Sequence, residues 1–331
     1  MTFLTWYAIK EGNKEYLNII LALNLPSKQA SNDSSTETSQ AKIIAKTFVV
    51  TDLSRNMLSW LHEIFTLANI SIKDLDALGI LTGPNYFTTT RTILITAQTI
   101  NFIHPHINVY ACSNFLPLAL AASYELAKSP EHSNIKATTI LALIIKSPQN
   151  TNLIQYFKLQ PIPSKLKPIA TRTTSHYKNT SHFNTETATQ FLRPLPKLIP
   201  SPLGTPYEIT TTEPLKKLSA NIQNQLQSLR SHPTEPINMV IKSDTSLNLA
   251  IHRLQKYHLL SNPTSTNERS ATAKNKDFKI IELPSLPTAP TSLLKENLIT
   301  LFYHEHLYNL FNLKTTYTTL RPVYIEPGYN H

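Results

Sequence analysis

The spacing of apolar residues predicts strands and helices in alternation. Apolar runs at 17–25 and 43–50 have the length of short strands, which we expect to pair. The segment that follows has apolar residues at helical spacing: Met57, Leu58, Leu61, Ile64, Phe65 and Ala68. Thr51, Asp52 and Ser54 are possible caps for its start. We therefore expect an amphipathic helix over 54–69.

A turn separates the next strand from the next helix. The apolar run at 76–81 ends before Gly83-Pro84, where Gly accepts a positive φ and Pro fixes its own. Thr88 can cap a helix whose apolar positions continue to residue 103. A helix start behind a strand is a common place for a bound phosphate, but this loop lacks the glycines of a close phosphate cradle.

The remaining elements predict two α/β subdomains, 1–130 and 131–331. A strand at 107–112 and a helix at 114–127 complete the first of them. In the second, we expect strands at 139–145, 153–159, 236–242 and 278–283, and helices at 214–229, 245–259 and 290–312. Residues 160–212 are rich in Pro and Thr with little periodicity, which predicts a long irregular segment.

Residues 83–91, Gly-Pro-Asn-Tyr-Phe-Thr-Thr-Thr-Arg, resemble the signature loop of the TsaB family, roughly GPGSFTGLRIG. The shared residues are Gly83, Pro84, Phe87, Thr88 and Arg91. Asn85, Thr89 and Ile93 stand where the family has Gly. Other segments follow in the family's order. Residues 18–27 are similar to the opening strand, with Asn24 at its Asp position, and residues 109–115 are similar to the strand after the signature. Residues 140–159 are similar to the central hairpin, and residues 321–327 to the closing segment.

The resemblance implies a duplicated actin-like ATPase fold (ASKHA, ribonuclease H-like) in two α/β subdomains. TsaB is the non-catalytic relative and partner of TsaD in tRNA threonylcarbamoyladenosine synthesis. This implies a cytoplasmic scaffold that binds a TsaD-like subunit through helices 54–69 and 88–103, with a TsaE-like ATPase as a further candidate partner and tRNA bound only indirectly. The contact side chains would be Leu58, Leu61, His62, Phe65, Phe87, Arg91, Ile95 and Gln98.

Composition narrows the function in three ways. Only 5 of 331 residues are Gly, against a typical share of about 7%, which disfavours a glycine-rich nucleotide site. Cys112 is the single cysteine, so neither a disulfide framework nor a cysteine zinc site is expected. Polar residues interrupt 107–128, the most apolar stretch, and no secretory pattern follows the first residues, so we expect a cytoplasmic protein without membrane spans.

Few residues suggest catalysis, a cofactor or a metal, and we expect none of the three. His304 and His306 diverge on a helix, which favours surface or interfacial histidines over ligands of one ion. His104 and His106 flank Pro105 at a helix end, where they suit the helix dipole. Asp74 fits a cap and Asp76 a solvent-facing loop position. Asn24 lacks the charge of a magnesium-orienting Asp.

Two other interpretations remain open. The net charge of +10 favours polyanions, and residues 158–197 mix cations with aromatic residues, which is typical of RNA contacts. The candidate RNA-contacting cations are Lys165, Lys167, Arg172 and Lys178. Alternatively, the chain is a decayed homologue without a partner. A homodimer through the same two helices is a further possibility.

Overall fold

The computed structural model describes residues 1–11, 14–26, 41–83, 87–128, 139–146, 152–163, 185–187, 192, 194–209, 237–242, 278–282 and 290–322. These residues form a mixed α/β structure in two compact units. Unit 1 comprises Met1–Leu118, Lys167–Leu195 and Ala289–Tyr324. Unit 2 comprises Ala119–Leu166, Pro196–Thr288 and Ile325–His331. The C-terminal helix thus belongs to unit 1, whereas the ranges 1–130 and 131–331 placed it in the second subdomain.

Unit 1 is built on a seven-stranded sheet in the order β12-β5-β4-β1-β2-β3-β8. Its strands are β1 (Phe3–Glu11), β2 (Lys14–Leu23), β3 (Lys42–Val49), β4 (Ala77–Leu81), β5 (Asn108–Cys112), β8 (Thr185–Thr187) and β12 (Lys314–Thr315). The first three strands form an antiparallel meander, whereas β4 and β5 run parallel to β1. The meander and the parallel strands therefore meet at β1.

Strand β1 was not expected from the sequence. Its sequence, FLTWYAIKE, shows no alternation of apolar and polar residues, because both of its faces are covered. Leu4 and Trp6 belong to the core on one face of the sheet, and Phe3 contacts Phe302 of the C-terminal helix on the other. The resemblance treated 18–27 as the opening strand, and this is wrong: residues 18–23 belong to β2, the second strand, and 24–26 follow its end.

Helices cover both faces of this sheet. Helices α1 (Leu53–Ala68) and α2 (Phe87–Ile103) pack on one face and contribute to one hydrophobic core. The C-terminal helix, α4 (Pro290–Tyr308), packs on β1, β4 and β5 from the other face. A fourth helix, α3 (Phe115–Lys128), follows β5. The helices expected at 54–69, 88–103 and 114–127 are thus confirmed, whereas α4 ends four residues before the expected residue 312.

Unit 2 contains a five-stranded sheet in the order β11-β10-β6-β7-β9. Its strands are β6 (Thr139–Lys146), β7 (Asn152–Pro161), β9 (Leu198–Ile209), β10 (Ile237–Lys242) and β11 (Phe278–Glu282). Strands β6, β7 and β9 form an antiparallel meander, and β10 and β11 run parallel to β6. Both sheets therefore contain the same arrangement of five strands. The helices expected at 214–229 and 245–259 lie outside the described residues.

Part of 160–212 is regular, contrary to the expectation of a long irregular segment. Strand β9 spans twelve residues despite Pro200, Pro202 and Pro206. It lies at the edge of its sheet, and an edge strand accommodates proline because one side of it needs no backbone donors. The three prolines therefore led the sequence analysis away from a strand, and the edge position explains why the strand can contain them.

Candidate partner-binding face

The junction between β4 and α2 is anchored on the end of strand β5. Thr82 donates to the Cys112 carbonyl oxygen from its backbone N (2.8 Å) and from its hydroxyl (3.0 Å). Gly83 has a φ of 109°, which its lack of a Cβ permits, and its carbonyl accepts from the Asn114 backbone N at 2.8 Å. Residues 84–86 and the side chain of Phe87 lie outside the described residues. The positive φ expected at Gly83 is confirmed, whereas the rest of the expected turn falls on residues outside the described ranges.

Helix α2 begins at Phe87, so Thr88 lies within its first turn rather than before it. Ile93, Leu94, Ala97 and Ile100 are buried in the core shared with α1. The hydroxyls of Thr92, Thr96 and Thr99 each donate to the backbone carbonyl four residues earlier. These hydroxyls are therefore bonded within the helix, which leaves its outer side less polar than the sequence suggests.

Helix α1 is one-sided. Asp52 caps its start by accepting from the Arg55 backbone N at 3.1 Å, and Asn69 ends it with a positive φ. Its buried residues are Leu53, Met57, Leu61 and Ile64. Leu58 is 70% exposed on the outer side. Local sequence explains both ends of the helix, and the core explains its inner side.

The structure places the eight expected contact residues in different environments. Leu58, His62, Arg91 and Ile95 are exposed. Phe65 and Gln98 are half-buried, and nothing is described of the Phe87 side chain. Leu61 is only 3% exposed and lies in the core of unit 1, so a charge there would unfold the protein rather than test an interface.

Gln98 has a role within the chain. Its side-chain amide donates to the carbonyl oxygens of Tyr317 and Leu320, both at 3.1 Å. The helical spacing of the sequence marked Gln98 as lying off the apolar stripe but gave no indication of these distant acceptors. Gln98 therefore positions a C-terminal segment on the outer side of α2.

Three exposed apolar residues near this face were missed. Phe102 is 67% exposed, Ile103 is 60% exposed and Tyr317 is 44% exposed. Phe102 lies seven residues after Ile95, a spacing that returns to the same side of a helix and could have identified it. Tyr317 is distant in sequence, and no local pattern indicated its place.

The position expected for a magnesium-orienting acid needs correction. Asn24 follows β2, is exposed and has a φ of 56°, so it is not in the first strand. Strand β1, the first strand of this sheet in chain order, contains only Glu11 as an acidic residue, at its last position. The assignment of Asn24 to the first strand is therefore wrong.

The C-terminal histidines are not both at the surface. His304 is 6% exposed, and the hydroxyl of Tyr110 lies 3.0 Å from the Nδ1 atom of the half-buried His306. Between them, the buried Glu305 accepts from the backbone N atoms of Phe311 and Leu313, both at 2.7 Å. This segment therefore holds the chain reversal after α4. The burial of these side chains, more than their spacing in the sequence, explains their positions.

The other candidate groups have structural roles. Asp74 completes a capping box with Ser71, and hydrogen bonds from Ser71 lower the pKa of its carboxyl group. The Asp76 carboxylate accepts from the Thr2 backbone N at 2.6 Å. Burial, followed by the charge of Glu305, raises the pKa of the Cys112 thiol, which suits a structural cysteine. Among the described residues, no group of three or more His, Cys, Asp or Glu side chains is placed to hold a metal ion.

The candidate RNA-contacting residues Lys165, Lys167, Arg172 and Lys178 lie outside the described residues. At the margins of the 158–197 segment, Lys158 is half-buried and Lys197 is exposed. The RNA-binding hypothesis therefore stays a prediction. No helix in the described part of the chain is long and apolar enough to cross a membrane.

Two solved structures align with nearly the whole chain. One is described as an uncharacterized protein with similarity to peptidase YeaZ from Pseudomonas aeruginosa, and the other as YeaZ from the same organism. They are 10% and 12% identical to this chain, and each alignment has a TM-score of 0.42 and covers 98% of this chain and 99% of the other. No family model and no curated protein matches the sequence. At this identity and TM-score, the likeness carries no argument about activity.

Proposed function

We propose that this chain is a non-catalytic, TsaB-like scaffold subunit that binds a TsaD-like subunit through the outer sides of α1 and α2. One observation carries the proposal: the two helices bury their inner sides in one core and expose Leu58 and Ile95 on their outer sides. Contiguous exposed apolar patches are typical of protein interfaces, and Ile95 is accompanied by the exposed Phe102 and Ile103 on α2. Helix α2 also begins within the 83–91 segment that resembles the family's signature.

The sheet topology supports the fold that the resemblance implies. In unit 1, the order β3-β2-β1-β4-β5 joins an antiparallel meander to two parallel strands, and in unit 2 the order β9-β7-β6-β10-β11 does the same. We infer from this repetition a duplicated, ribonuclease H-like fold of the actin-like ATPase class. The same five-strand arrangement twice in one chain favours duplication over coincidence.

The sequence of β1 supports a non-catalytic role. The residues at its centre are Trp6, Tyr7 and Ala8, none of which carries a charge for orienting magnesium. A subunit of this kind acts through a binding equilibrium, because it stabilises the conformation of its partner to which it binds more tightly. Its contribution to threonylcarbamoyl transfer onto tRNA is then indirect.

Co-expression with the TsaD-like protein of the same organism tests the proposal. We expect size exclusion with light scattering to detect a stable one-to-one complex that Ile95→Asp abolishes, because the exposed Ile95 would become a charge buried in the interface. Asn309→Asp, which adds the same charge at an exposed polar position just after α4, on the other face of the sheet, serves as the matched control. The complex should survive that change.

The other outcomes separate the remaining hypotheses. A chain that stays monomeric beside the partner contradicts the scaffold function and favours a decayed homologue. A homodimer that excludes the partner assigns the same face to self-association. Steeply salt-dependent binding of tRNA by this chain alone would favour the RNA-binding alternative. Binding of a TsaE-like ATPase is a separate prediction, which the same co-expression can include.

A further inference from the structure

A turn near the C-terminal end of unit 1 is fixed against helix α2. Within this 316–321 turn, the carbonyl oxygens of Tyr317 and Leu320 accept from Gln98, and the Tyr317 backbone N donates to the Asn101 side-chain oxygen at 3.0 Å. Leu320 is 2% exposed and belongs to the same core as α1 and α2. The turn thus has one defined position on the helix.

The fixed turn displays an aromatic ring instead of burying it. The ring of Tyr317 lies 5.4 Å from that of Phe102, centroid to centroid, in an edge-to-face arrangement. Both rings remain substantially exposed, and Ile103 is exposed next to Phe102. Three hydrogen bonds between helix side chains and the backbone of Tyr317 and Leu320 therefore hold an apolar surface open to solvent, which preorganises it for a partner.

Arg321 lies at the same surface. Its Nη1 atom donates to the Leu320 carbonyl oxygen at 3.2 Å, and this oxygen also accepts from Gln98. On a helix, Gln98 is one turn from Ile95 and one turn from Phe102. The guanidinium group consequently lies beside the row formed by these two residues. We call Ile95, Phe102, Tyr317 and Arg321 the α2–turn surface.

The charged residues of the two segments that form this surface have one sign. Residues 87–108 and 314–322 contain Arg91, Lys314 and Arg321 but no Asp or Glu. A complementary partner therefore presents an apolar ridge with carboxylates beside it. The exposed Ile95 and Ile103 favour a protein over single-stranded RNA, because aliphatic side chains provide no platform for stacked bases.

We propose that the α2–turn surface is part of the docking site for the TsaD-like subunit. Phe102 and Tyr317 are its apolar anchors, and Arg321 pairs with a carboxylate of the partner. Aromatic and arginine side chains of this kind dominate the binding energy at many interfaces. The inference rests on the proposed function and extends it from two helices to a C-terminal turn that is more than 200 residues away in sequence.

Titration calorimetry with the purified TsaD-like subunit tests this extension. We expect the double variant Phe102→Ser, Tyr317→Ser to raise Kd by about tenfold or more, since both anchors are lost. Tyr317→Phe keeps the ring and should bind within about twofold of the natural chain. Val49→Ser, which also removes an exposed apolar side chain but from strand β3, outside both helices and the turn, is the matched control.

The contribution of the Arg321 charge to binding is tested separately. Arg321→Glu should slow association several-fold at low salt, and the difference should shrink at high salt because the charges are then screened. If Arg321→Glu binds as fast as the natural chain at low salt, the carboxylate pairing is wrong. Thermal unfolding midpoints of all variants must stay close to that of the natural chain. If the double Ser variant is less stable, Phe102→Leu with Tyr317→Phe replaces it as a test of shape.

The results distinguish this inference from the proposed function. If Ile95→Asp abolishes binding while the double Ser variant keeps its Kd, the extension is overturned and the scaffold function stands. If the natural chain does not bind the TsaD-like subunit, both are overturned. If a labelled oligouridine binds instead, and the double Ser variant loses that binding, the surface belongs to RNA.

Discussion

Two helix layers cover the sheet of unit 1, and they differ in how much of each helix is buried. In α4, every residue from Asn297 to Glu305 is buried, including Thr300 and His304. In α1 and α2, burial alternates with exposure, and Leu58 and Ile95 remain at the surface. A helix buried on all sides is a core element, whereas a one-sided helix has a second side to offer.

This difference indicates where a partner can bind. The outer sides of α1 and α2 carry exposed apolar residues, among them Phe102, and these sides are free of the core that their inner sides form. By contrast, the 297–305 segment of α4 has no exposed side to give to an interface. The two layers therefore differ in role. Helix α4 supports the sheet, whereas α1 and α2 support it and also expose apolar side chains to solvent.

The largest expected effect on stability comes from placing a charge on the inner side of α1 and comparing it with the same charge on the outer side. Leu61→Asp should cost at least about 4 kcal/mol of unfolding free energy, because an unpaired carboxylate would enter the core. Leu58→Asp on the outer side should change it by no more than about 0.5 kcal/mol. Urea unfolding followed by circular dichroism measures both.

On α4, the same experiment should find no tolerant position. Ile299→Asp and Leu301→Asp lie on different sides of the helix, and each should cost at least about 4 kcal/mol. A mild effect at either position would contradict the all-round burial of α4 and remove the contrast between the two layers.

Replacing the buried carboxylate of Glu305 tests the α4 layer with a smaller expected loss of stability. Glu305→Gln should cost about 1–3 kcal/mol, because one amide oxygen replaces two carboxylate oxygens that accept from Phe311 and Leu313. Glu63→Gln on α1 is the matched control. Its ion pair with Lys46 is partly exposed, so the loss should stay within about 1 kcal/mol. Equal losses in the two variants would count against a special role for Glu305.

The close fit of α4 on the sheet can be tested with one methyl group. A Cβ at Gly79 would lie 2.5 Å from Phe302 and 2.6 Å from Phe3, so Gly79→Ala should cost about 1–3 kcal/mol. Combining it with Phe302→Leu should recover part of the loss, because the smaller side chain makes room. Additive losses in the double variant would mean that the two residues do not compete for the same space.

The smallest effect is a pH dependence at the α4 layer. Burial, followed by the charge of Glu305, raises the pKa of Tyr110 to about 12. The unfolded chain loses this proton near pH 10, so the folded chain holds it more tightly and stability falls as the pH rises from about 10 to about 12. In Tyr110→Phe, the fall of the urea midpoint over this range should be shallower. Parallel curves for both proteins would contradict the shifted pKa.

Sequence reasoning predicted what depends on neighbouring residues. Asp52, one of the candidate caps, precedes α1, and the spacing of Met57, Leu61 and Ile64 predicts its buried side. The positive φ at Gly83 follows from the conformational freedom of glycine. Sequence reasoning failed at β1 and at β9. In β1, burial on both faces replaced the usual alternation of apolar and polar residues. In β9, the position at a sheet edge did so.

Within the candidate site, sequence alone selected helices α1 and α2 and exposed residues such as Leu58 and Ile95. It also included Leu61, since the same apolar character suits a core and an interface. Only the tertiary structure decided between these roles, because burial depends on which distant segments cover a residue. For the same reason, the pairing of Gln98 with Tyr317, 219 residues away, follows from the fold and not from any local pattern.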